Sequence, residues 1–243
     1  MSNHLDRIVI VLNRPIHPGN VGSVARAMKN MGLRSLRIVE GCDLTDDRAR
    51  WMAVAAKEIL DRAVVFQDLK AGVADCSLVI GTVPPDRPRF QQETYPAREM
   101  ARRIRFRHPD DRVAIIFGPE DHGLANRELD LCHEFVSIPS HRAYPSLNIS
   151  HAVMVIAYEI SLSSQEESPD SDRPAASAKQ VEQMYQHLEE TLLEIGFLDS
   201  VNPLHIMRDL RRIFSRARLD EREVKIVRGI CRQIDWAAGQ RRR

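Results

Sequence analysis

Short β-branched runs alternate with helix-period segments through the first two thirds of the 243-residue chain, and this alternation narrows the fold more than any other feature. The runs predict strands at Arg7 to Leu12 (RIVIVL), Ser35 to Val39 (SLRIV), Ala63 to Phe66 (AVVF), Ser77 to Gly81 (SLVIG), Val113 to Phe117 (VAIIF) and Glu134 to Ile138 (EFVSI). They are continuously apolar, as expected of strands covered on both faces. Between the first two, Val21, Val24, Ala25, Met28 and Met31 recur at three- and four-residue steps and mark a helix, with Gly32 as its stop. Repeated units of this kind predict an α/β fold, a largely parallel sheet with helices on both faces.

A longer apolar helix is expected from about Leu147 to Leu162. The sequence then changes character: residues 163–178 (SSQEESPDSDRPAASA) are rich in Ser, Pro and acid, the composition of a solvated linker. Three helical stripes follow. Val181, Met184, Tyr185, Leu188, Leu192 and Ile195 form the first, Met207, Leu210 and Phe214 the second, and Val224, Val227, Ile230, Cys231 and Ile234 the third. The expected organisation is an α/β domain over residues 1–162, an acidic linker over 163–178 and a small α-helical module over 179–243, which is short for an independent core unless it packs on something else.

With 43% hydrophobic and 28% charged residues the chain can bury a core, which excludes a disordered or fibrous reading. No apolar run approaches the roughly 18 residues of a membrane span, and MSNHLDRIVIVLNRP has no secretory-leader pattern, so a cytoplasmic protein is expected. Cys42, Cys76, Cys132 and Cys231 make no C-x-x-C pair, and the histidines lack two-ligand helical spacing, so no metal site is expected. The net charge of +1 speaks against a polyanionic partner only if charge is evenly spread, and it is not. From Pro203 to Arg243 there are twelve Lys or Arg against five acids, and Arg98, Arg102, Arg103, Arg105 and Arg107 cluster in the first domain. Both stretches are candidate polyanion surfaces, with Arg208, Arg211 and Arg212 as the candidate RNA contacts of the tail.

Ligands of parallel α/β sheets sit beyond the carboxyl ends of strands, so the loops there carry the functional reading. Asn13 to Gly22 (NRPIHPGNVG) leads into the first helix, with Asn20 placed to cap it and Arg26 six residues on, near the same end. Gly118 to Gly123 (GPEDHG) permits close backbone approach and projects Glu120. In Pro139 to Asn148 (PSHRAYPSLN), Ser146 and Asn148 are placed to cap the long helix or face a ligand, with Tyr144 and Pro145 as apolar walls. Neither G-x-x-x-x-G-K-[ST] nor G-x-G-x-x-G occurs, which removes most of the support for nucleotide hydrolysis. Singly, each loop reads as a turn or a cap.

In order, NVGSVARAMKNMG, IIFGPEDHGL and IPSHRAYPSLNISHAVMVIAYE resemble the three motifs of the SPOUT class of RNA 2′-O-methyltransferases, in its TrmH-like branch. The tail segments MYQHLEETLLEIGF and IMRDLRRIFSRARLDEREVKIVRGI resemble the carboxyl-terminal extension of the bacterial members that methylate a tRNA ribose at anticodon-loop position 32. The resemblance implies a deep trefoil knot on the carboxyl side of the sheet, S-adenosylmethionine as cofactor, tRNA as substrate and a homodimer with its sites at the interface. It implies cofactor contacts at Thr82, Val83, Pro84, Gly118, Ile138, Pro145, Ser146 and Leu147, and catalytic or RNA-side roles for Asn20, Arg26, Glu120, Ser146 and Asn148. The loop GTVPPDRPR departs from the family pattern, since two prolines follow where an Arg is usual and Arg87 or Arg89 stands further on. Methylation of ribosomal RNA, and an idle RNA-binding protein of the same fold, are the alternatives.

Overall fold

The computed structural model describes residues 4–85, 87, 90–141, 146–164, 175–199, 202–217 and 219–241. Strands β1 (Ile8–Asn13), β2 (Ser35–Val39), β3 (Val64–Phe66), β4 (Leu78–Thr82), β5 (Thr94–Pro96), β6 (Val113–Phe117) and β7 (Glu134–Ser137) form one sheet in the order β3-β2-β1-β6-β4-β7-β5. Every pairing is parallel. The strands expected from sequence recur within a residue of their bounds. Strand β5 was not expected, because it has three residues and one is Pro96; at the sheet edge a missing N–H removes no inner ladder bond.

Helices α1 (Pro18–Asn30), α2 (Asp47–Ala53), α3 (Lys57–Asp61), α5 (Ala97–Arg105) and α7 (Ile149–Ser163) cover one face, and α4 (Leu69–Val73) and α6 (Asn126–Leu129) lie on the other. The alternation of β1 divides between the two layers. Ile8, Ile10 and Leu12 pack with Met28, Ile104 and Ile156, whereas Val9 and Val11 pack with Val73, Leu129 and Phe135. Helix α1 ends where Gly32, at φ +77°, lets Leu33 N–H return to Met28 O.

The second face is thinly covered, since α4 and α6 have only five and four residues. The tail supplies the rest. Helices α8 (Ala178–Glu194), α9 (Pro203–Ala217) and α10 (Glu221–Arg241) share a core of Met184, Tyr185, Leu198, Met207 and Val224, while Ala178 packs on the second layer. Its N–H donates to Cys76 O, and that of Lys179 to Ala74 O. Ile195 and Ile230, expected within buried stripes, are exposed.

The two end residues of the expected linker, Ser163 and Ala178, belong to helices. Helix α7 extends through Ser163, which is buried, and Ser177 begins α8 with a reciprocal cap: its Oγ accepts from Gln180 N and its N–H donates to Gln180 Oε1. Residues 165–174 lie outside the described residues. Among the described residues no helix is long and apolar enough to cross a membrane, and no group of three or more His, Cys, Asp or Glu is arranged to hold a metal.

Candidate active site

Strands β1 and β6 are neighbours, but the chain leaves β1 for β2 on one side and β6 for β7 on the other, which opens a crevice at their carboxyl ends. The loop after β1 enters α1 through Pro18, whose fixed φ and missing N–H suit the first helical position. This early start corrects the expected role of Asn20. It is the third residue of α1 and does not cap it; His17 occupies the cap position with no side-chain hydrogen bond.

The Asn20 side chain instead spans the crevice. Its Nδ2 donates to Glu120 Oε1 at 2.9 Å, and its Oδ1 accepts from Asn148 Nδ2 at 3.0 Å. Glu120 also accepts from Ile16 N at 2.9 Å and His17 N at 3.4 Å, placing a carboxylate at the positive end of α1. Asn148 caps α7, its Oδ1 accepting from Ser150 N at 2.9 Å and Ser150 Oγ at 2.7 Å. One network therefore joins the loops after β1 and β6 to the start of α7. Burial pushes the Glu120 carboxyl upward, but the hydrogen bonds from Asn20 and the backbone of Ile16, Glu120 and His17 outweigh it and hold the group below its ordinary value. Arg26 is exposed on α1 with no side-chain partner among the described residues. Ser146 and Leu147 are exposed just before Asn148; Tyr144 and Pro145 lie outside the described residues.

The other expected ligand loops leave three adjoining strands, β6, β4 and β7. Gly81 stands opposite Ile116 and Thr82 opposite Val136, so Thr82, Val83, Pro84, Gly118 and Ile138 emerge side by side. Thr82 Oγ1 donates to Ile116 O at 2.9 Å and Val83 N to Val136 O at 3.0 Å. A Cβ on Gly118 would lie 2.3 Å from Gly123 C and 2.4 Å from Leu124 N, so the GPEDHG turn closes only with glycine there. Arg87 ties this turn to the loop after β4, donating to Leu124 O at 2.7 Å and Asn126 Oδ1 at 3.1 Å. The sequence offers Arg87 or Arg89 as a substitute for the family's usual Arg, but the partners of Arg87 are not visible there. Backbone edges packed this closely fit a ligand gripped mainly by main-chain groups.

The basic stretches are less free than charge counting implied. Arg98 pairs with Glu159, and Arg103 and Arg107 share Glu134, with Arg107 buried. The expected polyanion surface on α5 is thus largely consumed inside the chain. In the tail, Arg208 makes two hydrogen bonds to Asp130 at 3.1 and 3.0 Å. Arg211 makes two to Glu182 at 2.6 and 3.1 Å and lies over the Tyr185 ring at 4.4 Å. Of the three arginines expected to contact RNA, Arg208 and Arg212 are exposed, and only Arg212 has no side-chain partner among the described residues.

Residues 7–158 match the SpoU rRNA Methylase family, and residues 179–243 match the carboxyl-terminal domain of the tRNA methyltransferase TrmJ. The chain is 39% identical over 237 residues to the tRNA (cytidine/uridine-2′-O-)-methyltransferase TrmJ of Salmonella typhimurium, covering 95% of this chain and 97% of that one. The crystal structure of TrmJ from Z. mobilis ZM4 superposes with a TM-score of 0.81 at 30% identity, over 93% of this chain and 98% of that one. A probable methylase family protein from Haemophilus influenzae gives a TM-score of 0.63 at 31% identity, over 97% and 99% of the two chains.

Proposed function

The chain belongs to the SpoU methylase family, and from that premise we propose that it is a cytoplasmic, S-adenosylmethionine-dependent tRNA 2′-O-methyltransferase. Its target on this reading is the ribose at anticodon-loop position 32, bearing cytidine or uridine. The observation that carries the reading is the Glu120, Asn20, Asn148 network, which gathers residues from all three motifs at one crevice, with Arg26 six residues beyond Asn20 on α1.

Methyl transfer to a 2′-hydroxyl requires an aligned oxygen and a route for its proton. Thr82 to Pro84, Gly118, Ile138 and Pro145 to Leu147 would hold S-adenosylmethionine, which when bound supplies a methyl group on a sulfonium. Glu120 is not the base. Its oxygens are occupied by three donors, and a carboxyl held below its ordinary value is a weak proton acceptor. Its work is to hold the start of α1, and with it Asn20 and Arg26.

A guanidinium offers N–H donors and no acceptor, so Arg26 serves as a cation and donor and not as the base. It orients the phosphate beside the target and stabilises the developing alkoxide, while the proton departs through a phosphate oxygen or water. Ser146 positions the ribose, and Asn148 fixes the end of α7 against Asn20. The homodimer is part of the same reading. Val155, Tyr158 and Leu162 form a stripe on α7 that is 37%, 49% and 42% exposed, and it runs from the helix that begins at the site.

Labelled S-adenosylmethionine incubated with unmodified tRNA tests the reading: alkali-resistant ribose methylation at position 32 is the expected product. The name of the family that matches residues 7–158 favours ribosomal RNA as a second substrate reading. Label confined to ribosomal RNA would support that one, and RNA binding with no transfer would support an idle protein.

A further inference from the structure

We propose that the seam between the tail and the second face of the sheet is a trough for the tRNA sugar-phosphate backbone, with Arg127, Lys179, Arg212 and Arg216 as its phosphate contacts. This inference rests on the reading of the chain as a tRNA methyltransferase and locates the substrate surface of that same site.

A cavity of about 390 Å³ separates α4 and α6 from α8 and α9, with Phe90, Leu129, Tyr185 and Lys179 among its walls. Toward the carboxyl edge it shares Lys70 and Leu131 with a recess of about 250 Å³ that includes Asn13, Arg14 and Arg127. Asn13 ends β1 and Arg14 begins the loop that leads into α1, whose third residue is Asn20. Toward the other edge the cavity shares Gln92, Arg212 and Ser215 with a recess of about 330 Å³ that ends at Tyr95 and Arg216. Shared walls therefore link the three recesses across the second face, from Tyr95 and Arg216 to the residues that lead from β1 toward α1.

Its charge fits a polyanion. Ten Lys or Arg and seven Asp or Glu line the three recesses, a net of +3 in a chain whose total is +1. The acids are mostly spent: Glu128 on Arg14, Asp130 on Arg208, Glu134 on Arg103 and Arg107, and Glu182 on both Arg211 and Lys70. Arg127, Lys179, Arg212 and Arg216 are exposed and have no side-chain partner among the described residues, and each recess holds at least one of them. Arg208 and Arg211 take another role in the same trough. Their two-point pairs fasten α9 to Asp130 and to α8, so they build its wall.

Each phosphate neutralised releases counterions, so every contact removed flattens the dependence of log affinity on log salt by about 0.9 for duplex and about 0.7 for single strands. The test is equilibrium binding of unmodified tRNA to the full chain across a salt series. The pairs Arg127→Ala with Lys179→Ala, and Arg212→Ala with Arg216→Ala, should each reduce the slope by about 1.4 to 1.8, and all four together by about 2.8 to 3.6. Arg34→Ala, at the exposed residue before β2 and outside the trough, should leave the slope unchanged. Affinity for S-adenosylmethionine should stay at the wild-type value throughout. Wild-type slopes in both double variants of an enzyme that methylates tRNA would overturn the trough alone, as would loss of cofactor affinity in step with tRNA affinity. A wild-type chain that methylates no tRNA would overturn the functional reading instead.

Discussion

Glu120 and Arg26 illustrate how differently two charged residues of one site can work. Glu120 is enclosed by donors from the loop after β1, so Glu120→Gln should exchange one acceptor for an amide N–H that faces other N–H groups. The expected outcome is a fall in turnover of at least tenfold with cofactor affinity changed far less, read by comparing single-turnover rates with equilibrium binding. Arg26 has no such enclosure, so its loss should leave the fold intact. Arg26→Lys keeps the charge but loses the planar fork, and most turnover should disappear while S-adenosylmethionine still binds. An unchanged single-turnover rate in that variant would remove Arg26 from the mechanism. Only part of this was legible in the sequence. The motif residues stood out in order, but Asn20 looked like a helix cap because its partners, Glu120 and Asn148, are 100 and 128 residues away.

At the scale of elements, continuous apolar runs are readable because burial on both faces makes every position of β6, and every position of β1 before its terminal Asn13, apolar. Helices of four or five residues such as α4 and α6 leave no such period, and β5 is shorter than its own proline signal. What joins elements is also hidden. Helix α1 crosses α2 at Gly22, where a Cβ would sit 2.0 Å from Ala49 O. Gly22→Ala must move backbone, so a loss of about 1 to 3 kcal/mol is expected in urea unfolding, with turnover falling too because α1 carries Asn20 and Arg26. Strands β4 and β7 are joined by a reciprocal pair: His133 N–H donates to Val79 O at 2.7 Å, and His133 Nδ1 accepts from Val79 N at 3.2 Å. Burial, helped by Arg107, lowers the His133 pKa from 6.5 to about 4. The unfolded chain then takes up the proton before the folded one does. The contribution of His133 to stability should be constant above about 6.5 and fall by up to about 3 kcal/mol as pH drops toward 4. Urea midpoints across that range should flatten in His133→Asn.

For the whole molecule, the sum of charges misleads because the partners of each arginine are set by tertiary contacts. Pairing removes Arg98, Arg103, Arg107, Arg208 and Arg211 from the free basic surface, while Arg127, Lys179, Arg212 and Arg216 along the trough under the tail are exposed and have no side-chain partner among the described residues. Apolar surface needs the same accounting. Helix α7 buries Val153, Ile156 and Ile160 against the sheet and α1, yet Val155, Tyr158 and Leu162 stand outward at three- and four-residue steps. A stripe of that spacing on a helix already packed along its other side is matched to a second helix, and self-association satisfies it with a two-fold contact. Because Asn148 caps the same helix, such a contact would set the two crevices beside the shared interface. Tyr158→Glu with Leu162→Glu should therefore convert a dimer to a monomer in sedimentation and abolish methyl transfer, with the unfolding transition of each chain retained. A wild-type protein that sediments as an active monomer would show that one copy completes the site and that the stripe serves another purpose.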